Sequence, residues 1–376
     1  MTLRQDNPQN IFNIAENLNP KALTIGFARR FATYKRAHLL FSNLERLSRI
    51  VNNPKFPVQF VYAGKAHPND KAGQDMIKMI YDISNRPEFV GKILIVENYD
   101  IEVGKRLTQG VDIWLNTPTR PQEASGTSGE KAVMNGVMNF SVLDGWWAEG
   151  YRPDAGWALK EARTYQNQNA QDALDAVTIY NMLESEIIPM FYIRNQQNVP
   201  IDWVKKIKNT IAYIAPQFTM KRMLDDYRRQ YYQPLYSRSV ILNEEGYLQA
   251  RKLASWKQKM LRGWDSLEVV SINTTNANQK ALQLGQKFFA EVKLKVNELS
   301  EKDLGVELLF GQKVNDVVSK VMNRYEMPIT NIENDTVTFY FEKPAEMVGV
   351  YDYAFRVYPK NPLLAHRQDF SLMKWL

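Results

Sequence analysis

Five runs in the first 150 residues are almost continuously apolar and rich in β-branched side chains: Ala22–Ala28, Val58–Gly64, Ile93–Tyr99, Val111–Thr117 and Val137–Gly145. Between them, Tyr34–Asn52, Ala72–Asp82, Glu102–Gln109 and Glu130–Gly136 carry apolar residues at helical spacing. Strands that lack a polar face and alternate with helices predict a parallel sheet covered on both sides. Ala170–Tyr192, Ile201–Ala215, Thr219–Gln233 and Glu244–Arg262 then read as helices. After Gly263 the period falls to two. Short alternating runs at Leu267–Asn273, Lys287–Val296, Val306–Phe310, Thr336–Phe341 and Val350–Tyr358 predict an antiparallel sandwich. The expected organisation is a Rossmann-like α/β domain over 1–165, a helical extension over 166–262 and a β-sandwich over 263–376.

Composition narrows the chemistry. The 376 residues include no cysteine and three histidines, His38, His67 and His366. Disulfides, thiolate metal sites, cysteine nucleophiles and a legible serine–histidine triad are therefore excluded, and no metal site is expected. No run approaches the ~18 apolar residues of a membrane span, and Met1–Asn10 is too polar for a signal peptide. The expectation is a soluble, cytoplasmic chain. Forty-eight Lys and Arg against forty-one Asp and Glu give a net charge of +7, which favours an anionic partner but does not choose one.

Ligands on open parallel sheets sit at the carboxyl ends of the strands, and three segments there carry candidate chemistry. Ala28–Arg36 (ARRFATYKR) places Arg29, Arg30, Lys35 and Arg36 in one strand-end loop and the first turn of the next helix. Arg30 and Lys35 pair a planar fork with a mobile point charge, a combination suited to phosphate. Gln122–Gly136 (QEASGTSGEKAVMNG) leads from a strand into a helix through small residues that let the backbone approach an anion. It is not a P-loop. Glu97–Tyr99 (ENY) ends a strand with an aromatic able to stack on a planar ring. Lys221–Arg238 interleaves basic and aromatic residues as nucleic-acid platforms do, yet Met223, Leu224, Tyr227 and Tyr231 fit one helical stripe, which reads as core. No nucleic acid is expected as a partner.

ARRFATYKR, ENY, EASGTSGEKAVMNG and SVLDGWW, in that order, resemble the α-glucan (glycogen or maltodextrin) phosphorylases, above all their shorter bacterial and archaeal type. The resemblance is close over Ala22–Gln233 and looser in the tail, and the chain looks like the second half of a two-Rossmann architecture plus an accessory sandwich. It implies transfer of a glucosyl unit from a glucan end to inorganic phosphate, with retention, giving glucose 1-phosphate. The implied cofactor is pyridoxal phosphate, covalently anchored at Lys131. Arg29, Thr127 and Ser128 fall on positions that hold its phosphate, and Tyr99 on the aromatic beside its ring. Arg30 and Lys35 match the pair that binds substrate phosphate, while Glu123, Ser125 and Gly126 match contacts to glucose hydroxyls. Lys131, Arg30 and Lys35 are thus the implied catalytic set.

Two departures stand out. Glu130 precedes Lys131 where the family usually has Met, and reads as a solvent-facing change. The family's amino-terminal half, with much of the glucan channel, has no counterpart here, so the chain alone is expected to be weakly active or inactive and to need that half as partner. In the family the Tyr-rich helix near Lys221–Arg238 crosses toward that half, so exposure and self-association of this face are a second expectation; the family is often dimeric. The rival enzyme class, sugar-nucleotide glycosyltransferases such as glycogen synthases, often carries a second Glu eight residues after the first, where this chain has Lys131. A non-catalytic glucan-binding module is the rival outside enzymes.

Overall fold

The computed structural model describes residues 18–159, 167–275, 282–314, 317–346 and 348–376, together with Phe12 and Glu16. The chain divides into two compact units, Met1–Leu224 and Asp225–Leu376. The division falls ahead of the last long helix, so that helix groups with the sandwich rather than with the α/β unit.

The first unit is built on six parallel strands, β1 (Leu23–Ala28), β2 (Val58–Ala63), β3 (Ile93–Val96), β4 (Ile113–Asn116), β5 (Met138–Val142) and β6 (Trp157–Leu159), in the order β3-β2-β1-β4-β5-β6. Strand order reverses between β1 and β4, which opens a crevice at their carboxyl ends. Every residue of β2 is buried. One face packs Ile25, Phe27, Phe60 and Tyr62 against the helical layer, and the other packs Ala28, Ala63 and Trp114 against Ala132 and Val137. Each large side chain so buried contributes about 1.5–3 kcal/mol. That double burial is why the strands read as unbroken apolar runs. β6 escapes the sequence reading because three residues after a Pro-Asp turn show no period.

The helices differ from expectation at their ends. Tyr34–Asn52 is not one helix: two 3-10 turns, Thr33–Lys35 and Leu39–Phe41, precede α1 (Leu44–Val51). Arg36 interrupts the run with left-handed backbone (φ 50°, ψ 47°). Asn43 then caps α1 by accepting from the Arg46 N–H. α2 (Lys71–Ser84) and α3 (Ile101–Gly110) are capped likewise by Asp70 and Asp100. α4 spans Thr127–Met134, so it begins three residues before the predicted start and takes Thr127 and Ser128 into its first turn. α5 (Trp146–Gly150) follows β5, α6 (Gln168–Met182) runs through a π turn toward Tyr192, and α7 (Ile201–Asn209) covers Trp157 through Trp203.

α8 (Met220–Tyr227) corrects the core reading of the Tyr-rich stripe. Leu224, Tyr227 and Tyr231 are exposed and Met223 only half-buried, with Tyr232 and Tyr236 exposed as well. Helical spacing marks an apolar face and leaves open what covers it. The exposure agrees with the alternative drawn from the family resemblance.

In the second unit, α9 (Gln233–Gly263) is two helices joined across non-helical backbone at Glu244–Tyr247. The sandwich comprises the sheets β10-β9-β13-β14 and β11-β12-β8-β7, from β7 (Glu268–Thr274), β8 (Lys287–Lys295), β9 (Leu304–Val314), β10 (Val317–Met327), β11 (Ile329–Glu333), β12 (Thr336–Pro344), β13 (Tyr351–Pro359) and β14 (Lys374–Trp375). Alternate residues Phe288, Ala290, Val292 and Leu294 of β8 meet Val306 and Leu308 of β9 in a shared core. β10 is missed by the sequence pattern because register shifts at Val318/Lys320 and Val321/Asn323 break its alternation.

Candidate functional site

The carboxyl ends of β1, β4 and β5 bring distant segments together. After β1 the chain enters the 33–35 turn, held from the β4 side. Thr117 Oγ1 donates to the Lys35 carbonyl at 3.0 Å, and the Thr119 N–H donates to the Tyr34 carbonyl at 2.7 Å. The loops after β4 and β5 are joined in turn: the Glu123 N–H donates to Asp144 Oδ2 at 2.9 Å, and the Trp146 N–H to the Ser125 carbonyl at 2.8 Å. This contact needs glycine at 145. Its φ is +53°, and a Cβ there would lie 2.4 Å from the Ser125 oxygen.

Three predicted site residues meet in that crevice. The Lys35 ammonium is hydrogen-bonded to Glu123 Oε2, and Arg29 Nη2 lies 3.4 Å from the same oxygen. Arg29 and Lys35 are buried. Nε and Nη1 of Arg29 have no hydrogen-bond partner. Burial pushes the Arg29 guanidinium below its usual range, against the pull of Glu123, Tyr34 and Tyr99. A buried cation with two unused donors is costly to leave so, and a phosphate is the group whose geometry uses them. Burial also works on Tyr34, yet hydrogen bonds from Lys35 and Arg30 prevail and hold its phenol below the usual range. Arg30 itself is exposed.

Tyr99 stands within the field of Arg29 and is half-buried, and burial lifts its phenol above the usual range. Its hydroxyl rests over Gly104 of α3, where an added Cβ would come within 2.7 Å. Beneath the start of α4, the Trp114 indole N–H donates to Ser128 Oγ at 3.2 Å. Gly126, with φ +90°, turns the chain into the helix. Ser125, Thr127 and Lys131 are exposed. No hydrogen bond or ion pair among the described residues joins the Lys131 ammonium to the Arg29–Lys35–Glu123 cluster. Glu130 is half-buried rather than fully solvent-facing; burial raises its pKa while Lys131 and Arg222 oppose the shift.

Arg36, the fourth cation of the sequence cluster, is diverted. It is buried, donates to the Thr117 and Pro118 carbonyls, and pairs with Asp172 at 2.8 Å and Asp175 at 2.7 Å on α6. His38 Nε2 reaches Asp172 at 3.2 Å. Arg36 is therefore spent on Asp172, Asp175 and two carbonyls, and holds the turn that carries Lys35 rather than facing the crevice. The sequence offered no sign of this, since Asp172 and Asp175 are remote in the chain. His67 and His366 accept backbone N–H bonds within their own loops.

Residues 9–149 match the family model for carbohydrate phosphorylases, and residues 264–376 match that for the glycogen phosphorylase C-terminal domain. The chain belongs to the glycogen and maltodextrin phosphorylase family. It is 38% identical over 362 residues to maltodextrin phosphorylase from Thermococcus litoralis, covering 95% of this chain and 42% of that protein. Glycogen phosphorylase from Aquifex aeolicus is 46% identical over 229 residues, which is 61% of this chain and 32% of that one. Glycogen phosphorylase from Mycobacterium bovis is 32% identical over 361 residues, again spanning 42% of its length. This phosphorylase-family chain thus covers less than half of these relatives. Among its described residues, no helix is long and apolar enough to cross a membrane.

Proposed function

We propose that this chain supplies the cofactor-bearing part of an α-1,4-glucan phosphorylase, which moves a terminal glucosyl unit onto inorganic phosphate to give glucose 1-phosphate. The observation that carries the proposal is the buried Arg29 guanidinium, with two unused N–H groups, beside Lys35 and Glu123 at the strand ends. Pyridoxal phosphate fits these residues. Lys131 would anchor it, Tyr99 would flank its ring, and Arg29, Thr127 and Ser128 would hold its phosphate. When bound there, it would supply a phosphate able to share a proton with the substrate phosphate.

The chain's own residues do the rest. Lys35 and Arg30 neutralise the second phosphate, because two such anions side by side repel strongly at the low effective dielectric of a crevice. Glu123, Ser125 and Gly126 orient the glucose hydroxyls. Glu123 also holds Lys35 until an anion competes for it. Lys131 at the position where nucleotide-sugar enzymes often carry a second Glu favours this reading over theirs. We place the remaining glucan channel on an amino-terminal partner segment, and expect weak or no activity without it.

The test is reconstitution. The chain is incubated with pyridoxal phosphate, reduced with borohydride and mapped by mass spectrometry, then assayed with maltodextrin and phosphate with and without a supplied amino-terminal half. Attachment at Lys131, with glucose 1-phosphate formed only in the supplemented mixture and lost in Lys131→Ala, is expected. Equal product from Lys131→Ala overturns the assignment. A colourless protein that still binds maltodextrin identifies a binding module instead.

A further inference from the structure

The sandwich contains a second positively charged cavity, of about 390 Å³, with no part in the reading above. Its floor is the outward face of β9, β10 and β13, and its roof is the tail from Arg367 to Met373. Val306, Leu308, Phe355 and Val357 point the other way, into the core. Outward positions of a sandwich sheet normally carry solvated polar groups. Here Glu307 on β9 is only 4% exposed.

Two arginines satisfy that carboxylate. Arg356, its cross-strand neighbour on β13, bonds Oε1, and Arg367 from the tail bonds both oxygens at 2.8 Å. Arg367 also lies 5.2 Å from the Tyr358 ring centre, and Arg356 stacks at 5.6 Å on Trp375. A third guanidinium, Arg324 on β10, lines the same cavity without an ion pair or hydrogen bond among the described residues. Glu326, the cross-strand neighbour of Glu307 on β10, is paired with Lys360, so three arginines and Lys360 against these two carboxylates leave a surplus of two positive charges around an aromatic-walled space. If the cluster only latched the tail, Arg356 and Arg367 would suffice, and Arg324 would merely add repulsion.

We propose that this cavity binds the phosphate monoester of a small sugar. Such a group carries about −1.5 to −2 charge and three acceptor oxygens, which match the surplus and the planar guanidinium forks. Tyr358 and Phe370 add aromatic surface to the lining, a surface of the kind that packs against a sugar's C–H face. The volume lies in the range of small-molecule pockets. A neutral oligosaccharide would leave the arginine charge unanswered.

The experiment follows the indole N–H resonance of Trp375 in the ¹⁵N-labelled full chain, titrated separately with glucose 1-phosphate, inorganic phosphate, sulfate and maltose. Glucose 1-phosphate is expected to shift it saturably. Arg324→Gln should weaken that binding at least tenfold and Arg324→Glu abolish it; since Arg324 is exposed and unpaired, both variants should fold. The double variant Arg30→Ala with Lys35→Ala, which empties the crevice of the first unit of its mobile cations, should leave the shift unchanged. Loss of the shift in that double variant alone, no saturable shift, or indifference to Arg324 overturns the proposal. Equal binding of sulfate or inorganic phosphate means an adventitious ion only and overturns it too, as does equal binding of maltose.

Discussion

Lys35 and Glu123 are bound to each other across 88 residues of chain, although one is matched to a phosphate site and the other to a sugar site. Under the roles proposed above, an arriving phosphate competes with the carboxylate for the ammonium, and the freed carboxylate can then accept from a sugar hydroxyl. Glu123→Gln removes the competing charge. Calorimetry should show inorganic phosphate binding to the variant about tenfold more tightly, equivalent to ~1.4 kcal/mol. Unchanged or weaker binding would mean that the pair does not restrain Lys35.

Arg36 is a strut, and its removal should act on stability before binding. Arg36→Met leaves two carboxylates, Asp172 and Asp175, without their cation, and two carbonyls without their donor. Breaking a buried pair of this kind costs about 3–5 kcal/mol. Thermal unfolding should move down by several degrees, with phosphate affinity lost in parallel as the turn carrying Lys35 loosens. A variant that melts with wild type would show that α6 does not hold this turn.

The same cluster sets a pH dependence. Asp172 is partly buried, which acts against its charged form, yet bonds from His38, Arg36 and Gln168 dominate and bring its pKa to about 2. The unfolded chain, with a carboxyl near its ordinary value of about 3.9, binds the proton first on acidification. The stabilisation from Asp172 is therefore complete above pH ~4 and is lost as pH falls through about 2, at up to roughly 2 kcal/mol. Asp172→Asn should flatten the acid limb of the stability–pH curve between those values, measured by urea unfolding. An identical acid limb in both proteins would refute the coupling.

Gly104 leaves room for Tyr99, since a methyl group there would come within 2.7 Å of the phenol oxygen. Gly104→Ala favours helix propensity in α3 by about 1 kcal/mol but must displace the ring. The expected result is a protein that melts within a degree or two of wild type and binds pyridoxal phosphate at least several-fold more weakly. Cofactor absorbance at equilibrium reads the second effect. Undiminished binding would remove Tyr99 from the cofactor site.

Local pattern carried the architecture far because each signal had a short-range cause. Double burial made β1 to β5 continuous apolar runs, and one-sided burial made β8 alternate. Asp70 and Asp100 mark their helix starts through bonds made within three residues. The motif wording also carried the family. The start of α4 was harder to read, because Gly126 and Ser128 resemble loop and helix residues equally.

Whatever depended on remote partners stayed hidden in the chain's order. Arg36 and Lys35 are adjacent cations of similar reach, yet Asp172 and Asp175 claim one while Glu123 claims the other. The Tyr227–Tyr231 stripe has the spacing of a core face and is exposed, since periodicity records that a face is apolar but not what lies against it. Composition and pattern thus chose the elements and their inward sides, which depend on neighbours a few residues away. Ion-pair partners, orphaned donors and the surplus charge around Glu307 emerged only on folding, because electrostatic interactions act over distances in space that chain separation does not encode.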